Sequence, residues 1–163
     1  MHNRYAIIAV ITALVTLADQ ITKAWVLLNI PLYTEIPVFK NFFSLVHVRN
    51  RGAAFGFLNR DDISWQFWLF MGATLLAVGV IIMLAKTSRP GEYAFFTALG
   101  LILGGATGNL IDRLRYREVI DFLDFYIGNY HWPAFNVADI AICCGAALAL
   151  VLSWRRTPSE DAG

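Results

Sequence analysis

Four long apolar segments set the strongest limit on what this chain can fold into. A helix needs about 20 mostly apolar residues to cross the roughly 30 Å hydrocarbon core of a bilayer. The segments that approach this length are residues 5–28, 65–85, 93–114 and 137–154. Composition agrees, because 58% of residues are hydrophobic and 15% are charged, against roughly 45–50% and 25% in soluble domains. The sequence predicts a polytopic α-helical membrane protein, with four transmembrane helices in a single membrane-embedded domain.

The first segment has a second interpretation. Arg4 precedes a continuous apolar run from Ala6 to Leu14, a pattern that cleavable signal peptides share. However, the apolar pattern resumes beyond Asp19, at residues 24–28, and no obvious soluble domain follows that would require export. We therefore expect a spanning helix.

Two polar excursions, residues 29–64 and 115–136, separate the predicted helices. Residues 42–49, FFSLVHVR, are rich in the aromatic and β-branched residues that favour strands. Residues 119–126 precede the turn signal Gly128-Asn129 and predict another strand or hairpin. Four spans bring both termini to one side of the membrane. The excursions then share the other side, where we expect a small β-sheet on the membrane surface.

The charges exclude one class of partner and leave the orientation open. The formal net charge is +1, whereas counterion-driven binding of nucleic acid needs a concentrated basic surface. We therefore expect no nucleic-acid partner. Basic residues lie at both ends of the predicted spans, so the positive-inside rule does not orient the chain. The polar tail, residues 157–163, is expected to be disordered.

Ionisable residues within the apolar segments are the first candidates for chemistry. A charge at the centre of a membrane helix costs roughly 2.5–3.5 kcal/mol on insertion scales, so such residues usually have a function. The candidates are Asp19, Lys23, Asp112, Arg113 and Asp139. Asp19 and Lys23 lie four residues apart on one helix face, so a purely structural ion pair is an equal alternative for them.

Elimination leaves carboxylates as the candidate catalytic groups. The histidines are scattered without an HExxH motif, and Cys143 and Cys144 are adjacent residues that we interpret as packing. We therefore expect no metal and no cofactor. No serine lies in a G-x-S-x-G turn, although a pair such as Ser44 with Lys40 stays open.

Asp121 and Asp139 are carboxylates that the intervening loop could bring together. Asp121 lies in VIDF, at the predicted strand, and Asp139 lies in FNVAD, at the start of the fourth helix. Two close carboxyls do not ionise together readily, so one keeps its proton while the other activates water for attack on an amide. An ordinary alternative is that Asn136 caps the helix, Asp139 is a first-turn acid and Asp121 lies on a strand surface.

The two positions also predict which aspartate carries the proton. If Asn136 caps the fourth helix, free backbone N–H groups and the helix dipole stabilise a negative charge on Asp139. Asp121 lacks that help and, beside an ionised neighbour, keeps its proton. Asp139 is therefore the expected base and Asp121 the expected acid.

Five sequence blocks resemble the lipoprotein signal peptidase family, also called signal peptidase II, and they follow its order along nearly the whole chain. They are Asp19-Gln20-Ile21-Thr22-Lys23, Asn50-Arg51-Gly52-Ala53-Ala54-Phe55-Gly56, Gly108-Asn109-Leu110-Ile111-Asp112-Arg113, Val119-Ile120-Asp121-Phe122 and Phe135-Asn136-Val137-Ala138-Asp139. Several of these blocks place polar residues inside apolar sequence, where chance matches are rare.

The resemblance implies an aspartic endopeptidase of the bacterial inner membrane, with Asp121 and Asp139 as its catalytic dyad. It would cleave the signal peptide of a prolipoprotein just before the diacylglyceryl-modified cysteine. The residues that would hold substrate or the inhibitor globomycin are Asp19, Lys23, Asn50, Gly52, Asn109, Arg113 and Asn136. The resemblance further implies cytoplasmic termini, an active site near the outer face, a sheet that cradles substrate, and no obligate protein partner.

Three residues near these blocks have no predicted role, and two other functions remain open. Asp124 lies three residues from Asp121, so on a strand it would face the other way; His47 and Phe57 are likewise unassigned. The intramembrane acids could instead form the relay of a transporter or proton-conducting protein. They could also join helices in a purely structural membrane partner. Clustering near one membrane face argues against the relay, and the FNVAD and GNLIDR blocks argue against the structural partner.

Overall fold

The structure, a computed structural model, describes residues 3–52 and 65–154 of the chain. Within these ranges the helices are α1 (Asn3–Asn29), α2 (Gln66–Thr87), α3 (Tyr93–Tyr116) and α4 (Val137–Trp154). All four are long and apolar enough to cross a membrane. The predicted fold class of a polytopic helical membrane protein is therefore confirmed. The predicted tail 157–163 and Phe57 lie outside the described residues.

Helix α3 lies at the centre of the bundle, where small residues let α1 and α4 approach closely. A Cβ atom at Gly104 would lie 2.7 Å from the Cβ of Val15 on α1. The hydroxyl of Thr16 donates to the Gly104 carbonyl at 3.2 Å. On the other side, a Cβ at Gly105 would collide with the backbone carbonyl of Ala138 on α4. Apolar helices associate in a membrane through close approach of this kind, because burial of apolar surface adds little free energy of association within lipid.

An antiparallel sheet with the strand order β1-β2-β3-β4 lies at one end of the bundle. The strands are β1 (Glu35–Phe39), β2 (Phe43–Asn50), β3 (Val119–Ile127) and β4 (Tyr130–His131). In the register between β2 and β3, Val48 lies opposite Asp121 and Asn50 opposite Val119. The predicted small sheet is thus present, and its inner pair carries polar residues of two of the sequence blocks.

A buried apolar cluster joins the sheet to the helices. Val26 and Ile30 near the end of α1 pack with Ile120 and Phe122 at the start of β3. The chain enters β3 from α3 through Arg117, whose left-handed backbone (φ 64°) ends the helix. This arrangement fixes the first residues of β3 against the bundle, which places Asp121 near the beginning of α4.

Candidate active site

The carboxylate of Asp139 lies over the first turn of α4 in a reciprocal cap with Asn136. The Asn136 side-chain oxygen accepts a hydrogen bond from the Asp139 backbone N–H at 3.0 Å. In return, Oδ2 of Asp139 accepts one from the Asn136 backbone N–H at 3.2 Å. The pairing has the geometry of a capping box, with the acid beside free N–H groups at the positive end of the helix dipole. The predicted cap is therefore present.

Asp121 is held on β3, only 2% exposed, by two side-chain amides. Asn136 donates to its Oδ1 at 2.7 Å, and Asn50 donates to its Oδ2 at 3.0 Å. The Asn50 amide is itself oriented, because its oxygen accepts from the Gly52 backbone N–H at 2.9 Å. Burial, followed by the nearby charge of Asp139, raises the pKa of Asp121 from 3.8 to about 7, against the opposing effect of the two amide hydrogen bonds.

Both aspartates line one cavity of about 340 Å³. Four other residues predicted for the site share its wall, namely Asn50, Gly52, Asn109 and Arg113. The rest of the wall is mainly apolar and includes Trp132, Pro133, Phe135, Ile140, Cys143 and Cys144. The site thus combines a carboxylate pair, several hydrogen-bond donors and an apolar surface.

Arg113 reaches this cavity from the last turns of α3. Its Nη2 donates to the carbonyl of Gly52 at 2.9 Å, which ties the end of β2 to the bundle. The guanidinium lies over the ring of Phe70 on α2, 4.1 Å from the ring centroid. A cation–π contact of this kind supports the flat face of the guanidinium and leaves its edge for hydrogen bonding.

Asp19 and Lys23 lie behind the cavity, in a buried ionic cluster. Asp19 is 0% exposed and Lys23 is 1% exposed. The Lys23 ammonium lies 2.9 Å from Oδ2 of Asp19. The same nitrogen lies 2.8 Å from Oδ2 of Asp112 and donates to Oδ1 of Asn109 at 3.0 Å. These contacts account for the three donors of an ammonium group. Both side chains are thus engaged with neighbouring residues, and their binding of substrate or inhibitor stays a prediction.

The sequence model of the family described as Signal peptidase (SPase) II matches residues 11–155. The chain belongs to the signal peptidase II family. It is therefore an aspartic endopeptidase that removes signal peptides from lipoproteins. This membership decides in favour of the peptidase over the transporter and the structural partner.

Named relatives and a solved structure are similar to this chain over almost its full length. A lipoprotein signal peptidase of Nitratidesulfovibrio vulgaris is 58% identical over 160 residues, which is 98% of this chain and 96% of the relative. A lipoprotein signal peptidase of Oleidesulfovibrio alaskensis is 58% identical over 146 residues, which is 90% of this chain and 93% of the relative. A solved structure described as a bacterial membrane enzyme superposes with a TM-score of 0.83 at 26% identity, covering 96% of this chain and 92% of that one.

Asn136 connects both aspartates of this signal peptidase II site. It is 0% exposed, and besides Asp121 its Nδ2 lies 3.2 Å from the side-chain oxygen of Asn109 and 3.2 Å from the carbonyl of Ile120. Asn109 in turn donates to Oδ1 of Asp139 at 2.9 Å. Asn136 thus holds the two carboxylates from a buried position, and its contact with substrate or inhibitor stays a prediction.

The two cysteines are among the wall residues that sequence reasoning missed. They were interpreted as packing, yet both lie on the cavity wall. The spacing held the signal, because Cys143 follows Asp139 by four residues and therefore shares its helix face.

Two residues that had no predicted role have partners of their own. Asp124 pairs with Nδ1 of His131 at 2.8 Å, and Nδ1 of His47 lies 2.8 Å from the carbonyl oxygen of Ile30.

Proposed function

We propose that this enzyme cleaves diacylglyceryl-modified prolipoproteins immediately before the lipidated cysteine, by attack of a water molecule activated between Asp121 and Asp139. The observation that carries the proposal is the placement of both carboxyls on one cavity wall. A single buried residue joins them, because the side-chain amide of Asn136 donates to Asp121 and its backbone N–H donates to Asp139. Two carboxyls in such a site can share acid and base roles without a cofactor.

In the proposed reaction Asp139 is the base and Asp121 is the acid. Asp139, ionised beside the N-terminus of α4, takes a proton from water as the water oxygen bonds to the scissile carbonyl carbon. Asp121 gives its proton to the carbonyl oxygen, which stabilises the tetrahedral intermediate. When the C–N bond breaks, Asp139 gives the proton that it took from water to the leaving nitrogen. Asp121 recovers its proton from the intermediate as the new carboxyl group forms, so both aspartates return to their starting states. The pKa of about 7 at Asp121 supports a proton on that residue at neutral pH.

The polar part of the cavity suits an unwound peptide backbone. A signal helix must unwind at its scissile bond, and its free N–H and C=O groups then need partners that lipid does not supply. Asn50, Asn109 and Arg113 offer amide and guanidinium donors on the cavity wall. We propose that they, with the Gly52 backbone, hold the substrate near its scissile bond, and that globomycin competes for the same surface.

The apolar part of the wall suits a lipid-modified residue. Trp132, Ile140 and Cys143 provide uncharged surface close to Asp139, where a diacylglyceryl group in the bilayer can remain in an apolar environment. Binding energy from the lipid would then position the scissile bond at the dyad. We further propose that the enzyme lies in the bacterial inner membrane with both termini in the cytoplasm and the active site near the outer face.

A cleavage assay tests this proposal. The purified full-length enzyme is incubated in detergent either with a lipidated prolipoprotein or with the same prolipoprotein lacking its diacylglyceryl group. We expect the lipidated form to be cleaved at least tenfold faster, about 1.4 kcal/mol of transition-state stabilisation, and product masses to begin at the modified cysteine. Equal rates on the two forms would remove lipid recognition from the proposal. A product that begins at another residue would contradict the proposed scissile bond.

A further inference from the structure

We propose that Lys23 is a positioning residue that orients the side-chain amide of Asn109 and thereby favours the ionised form of Asp139. The inference deepens the proposed function and rests on the dyad assigned there. Lys23 lies on α1 and does not itself line the cavity, but it contacts a side chain that does. Asn109 is that side chain, because it contacts both Lys23 and Asp139.

The direction of the Asn109 amide follows from the chemistry of the two donors that face its oxygen, the Lys23 ammonium and the Asn136 amide. An ammonium group has three N–H donors and no acceptor, so the Asn109 atom that faces Lys23 must be the oxygen, 3.0 Å away. The amide nitrogen is then directed at Oδ1 of Asp139, 2.9 Å away. If the amide turned over, its NH₂ group would face the ammonium and its oxygen would face the carboxylate. That orientation suits only a protonated Asp139.

The acids of the cluster hold the backbone just before each catalytic residue. Oδ1 of Asp19 accepts a hydrogen bond from the backbone N–H of Ala138 at 2.9 Å. Oδ2 of Asp112 accepts one from the backbone N–H of Ile120 at 3.2 Å. Ala138 directly precedes Asp139, and Ile120 directly precedes Asp121. By pairing with both acids, Lys23 connects the start of α4 with the start of β3.

The charged groups around this connection are few in the described part of the chain. Asp19 on α1 and Asp112 on α3 face Lys23 and bond to it directly. Around Asp139, the neighbouring charges are Asp121 on β3 and Arg113 on α3, which share its cavity. Two buried acids pair with the lysine. Its charge also lowers the pKa of Asp121, against the larger opposing effect of burial, whereas its hydrogen bond to Asn109 is the contact that leads to Asp139.

Lys23→Met tests the inference, because it keeps the length of the side chain and removes its donors. The readout is the pH–rate profile of the full-length variant on lipidated prolipoprotein in detergent. We expect the acid limb to move to higher pH by about one unit, which corresponds to the loss of one hydrogen bond to a charged group, with a smaller movement of the alkaline limb. Gln20→Leu is the matched control, since Gln20 donates to Asp19 and Asp112 but not to Asn109. Both limbs of the pH–rate profile of this variant should stay in place.

A second variant keeps the test informative if Lys23→Met does not fold. Asn109→Asp preserves the acceptor for Lys23 and places an oxygen, instead of a donor, against Asp139, so the acid limb should again move to higher pH. An acid limb that stays in place in the folded variants would overturn the inference. Equal movement of both limbs would also overturn it, because that result describes a general charge effect rather than an oriented amide.

Failure of this inference and failure of the proposed dyad give different results. If Asp139→Asn cleaves substrate at a substantial rate, the dyad is wrong and the role of Lys23 falls with it. If Asp139→Asn is inactive while the acid limb of the Lys23 and Asn109 variants matches that of the unmodified enzyme, the dyad stands and only the positioning role is wrong.

Discussion

Asn136 serves both aspartates through different atoms, so two substitutions can separate its effects. Its side-chain oxygen caps α4 by accepting from the Asp139 N–H, whereas its Nδ2 donates to Asp121. Asn136→Ser keeps a capping oxygen and removes the amide donor. Asn136→Ala removes both. We predict that serine moves only the alkaline limb of the pH–rate profile and that alanine moves both limbs.

The sign and size of each movement follow from these contacts. The proposed acid must be protonated, so the rate falls as pH rises through the Asp121 pKa of about 7. Loss of a donor that stabilises the Asp121 anion raises this pKa further, so the alkaline limb moves to higher pH. A hydrogen bond to a charged group contributes about 1.5–3 kcal/mol, which equals about one to two pH units. Alanine also removes the capping oxygen at the start of α4, so we expect it to move the acid limb to higher pH as well.

The assay is cleavage of lipidated prolipoprotein in detergent at a series of pH values, with substrate well below saturation. The two carboxyls titrate as a coupled pair, so the limb positions are the quantities to compare. The total rate is a poor measure here, because Asn136 also contacts Asn109 and Ile120. The reasoning would be refuted by an alkaline limb that stays in place in both variants, or by a serine variant whose acid limb moves as far as that of alanine.

Two further predictions concern the stability of the site and the topology of the chain. Asp121→Asn should raise the melting temperature at pH 8 and change it little near pH 4. The pKa of Asp121 in the folded protein, about 7, exceeds its ordinary value of 3.8, so the stability that the protonated form contributes is complete below about pH 3.8 and is lost as pH rises toward 7. A lower melting temperature of the variant at pH 8 would contradict this burial argument. Reporter fusions at Gly163 and within residues 86–92 should report cytoplasm, and a fusion near Arg60 should report the outer side; disagreement among the three would overturn the four-span topology.

Local sequence patterns predicted much of the fold. Apolar runs of sufficient length gave the four helices, because the bilayer requires about 20 apolar residues whatever the tertiary contacts. Strand β2 was visible in its aromatic and β-branched residues. Strand β1 was not separately predicted, since every residue of Glu35–Phe39 is exposed and no alternation of buried and exposed positions marks it.

The candidate active site was only partly visible in the sequence. The cap of α4 could be predicted because Asn136 and Asp139 are three residues apart and interact within one turn. The pairing of Asp139 with Asp121 depended on a family resemblance, since residue spacing alone left an ordinary structural alternative. The Lys23–Asn109 contact joins residues 86 positions apart. A contact of that kind depends on how α1 packs against α3, which no local pattern specifies.

The central claim, that Asp121 and Asp139 together perform the cleavage, is tested most directly by single asparagine substitutions. Asparagine keeps nearly the same shape and removes the ability to exchange a proton. Asp124→Asn is a matched control, because Asp124 lies on the same strand as Asp121 but pairs with His131. With folded, membrane-inserted protein and lipidated substrate, we predict that Asp121→Asn and Asp139→Asn each lose at least 10³-fold in rate, within the usual range for a positioned acid or base, whereas Asp124→Asn cleaves normally. Substantial cleavage by either dyad variant would contradict the account.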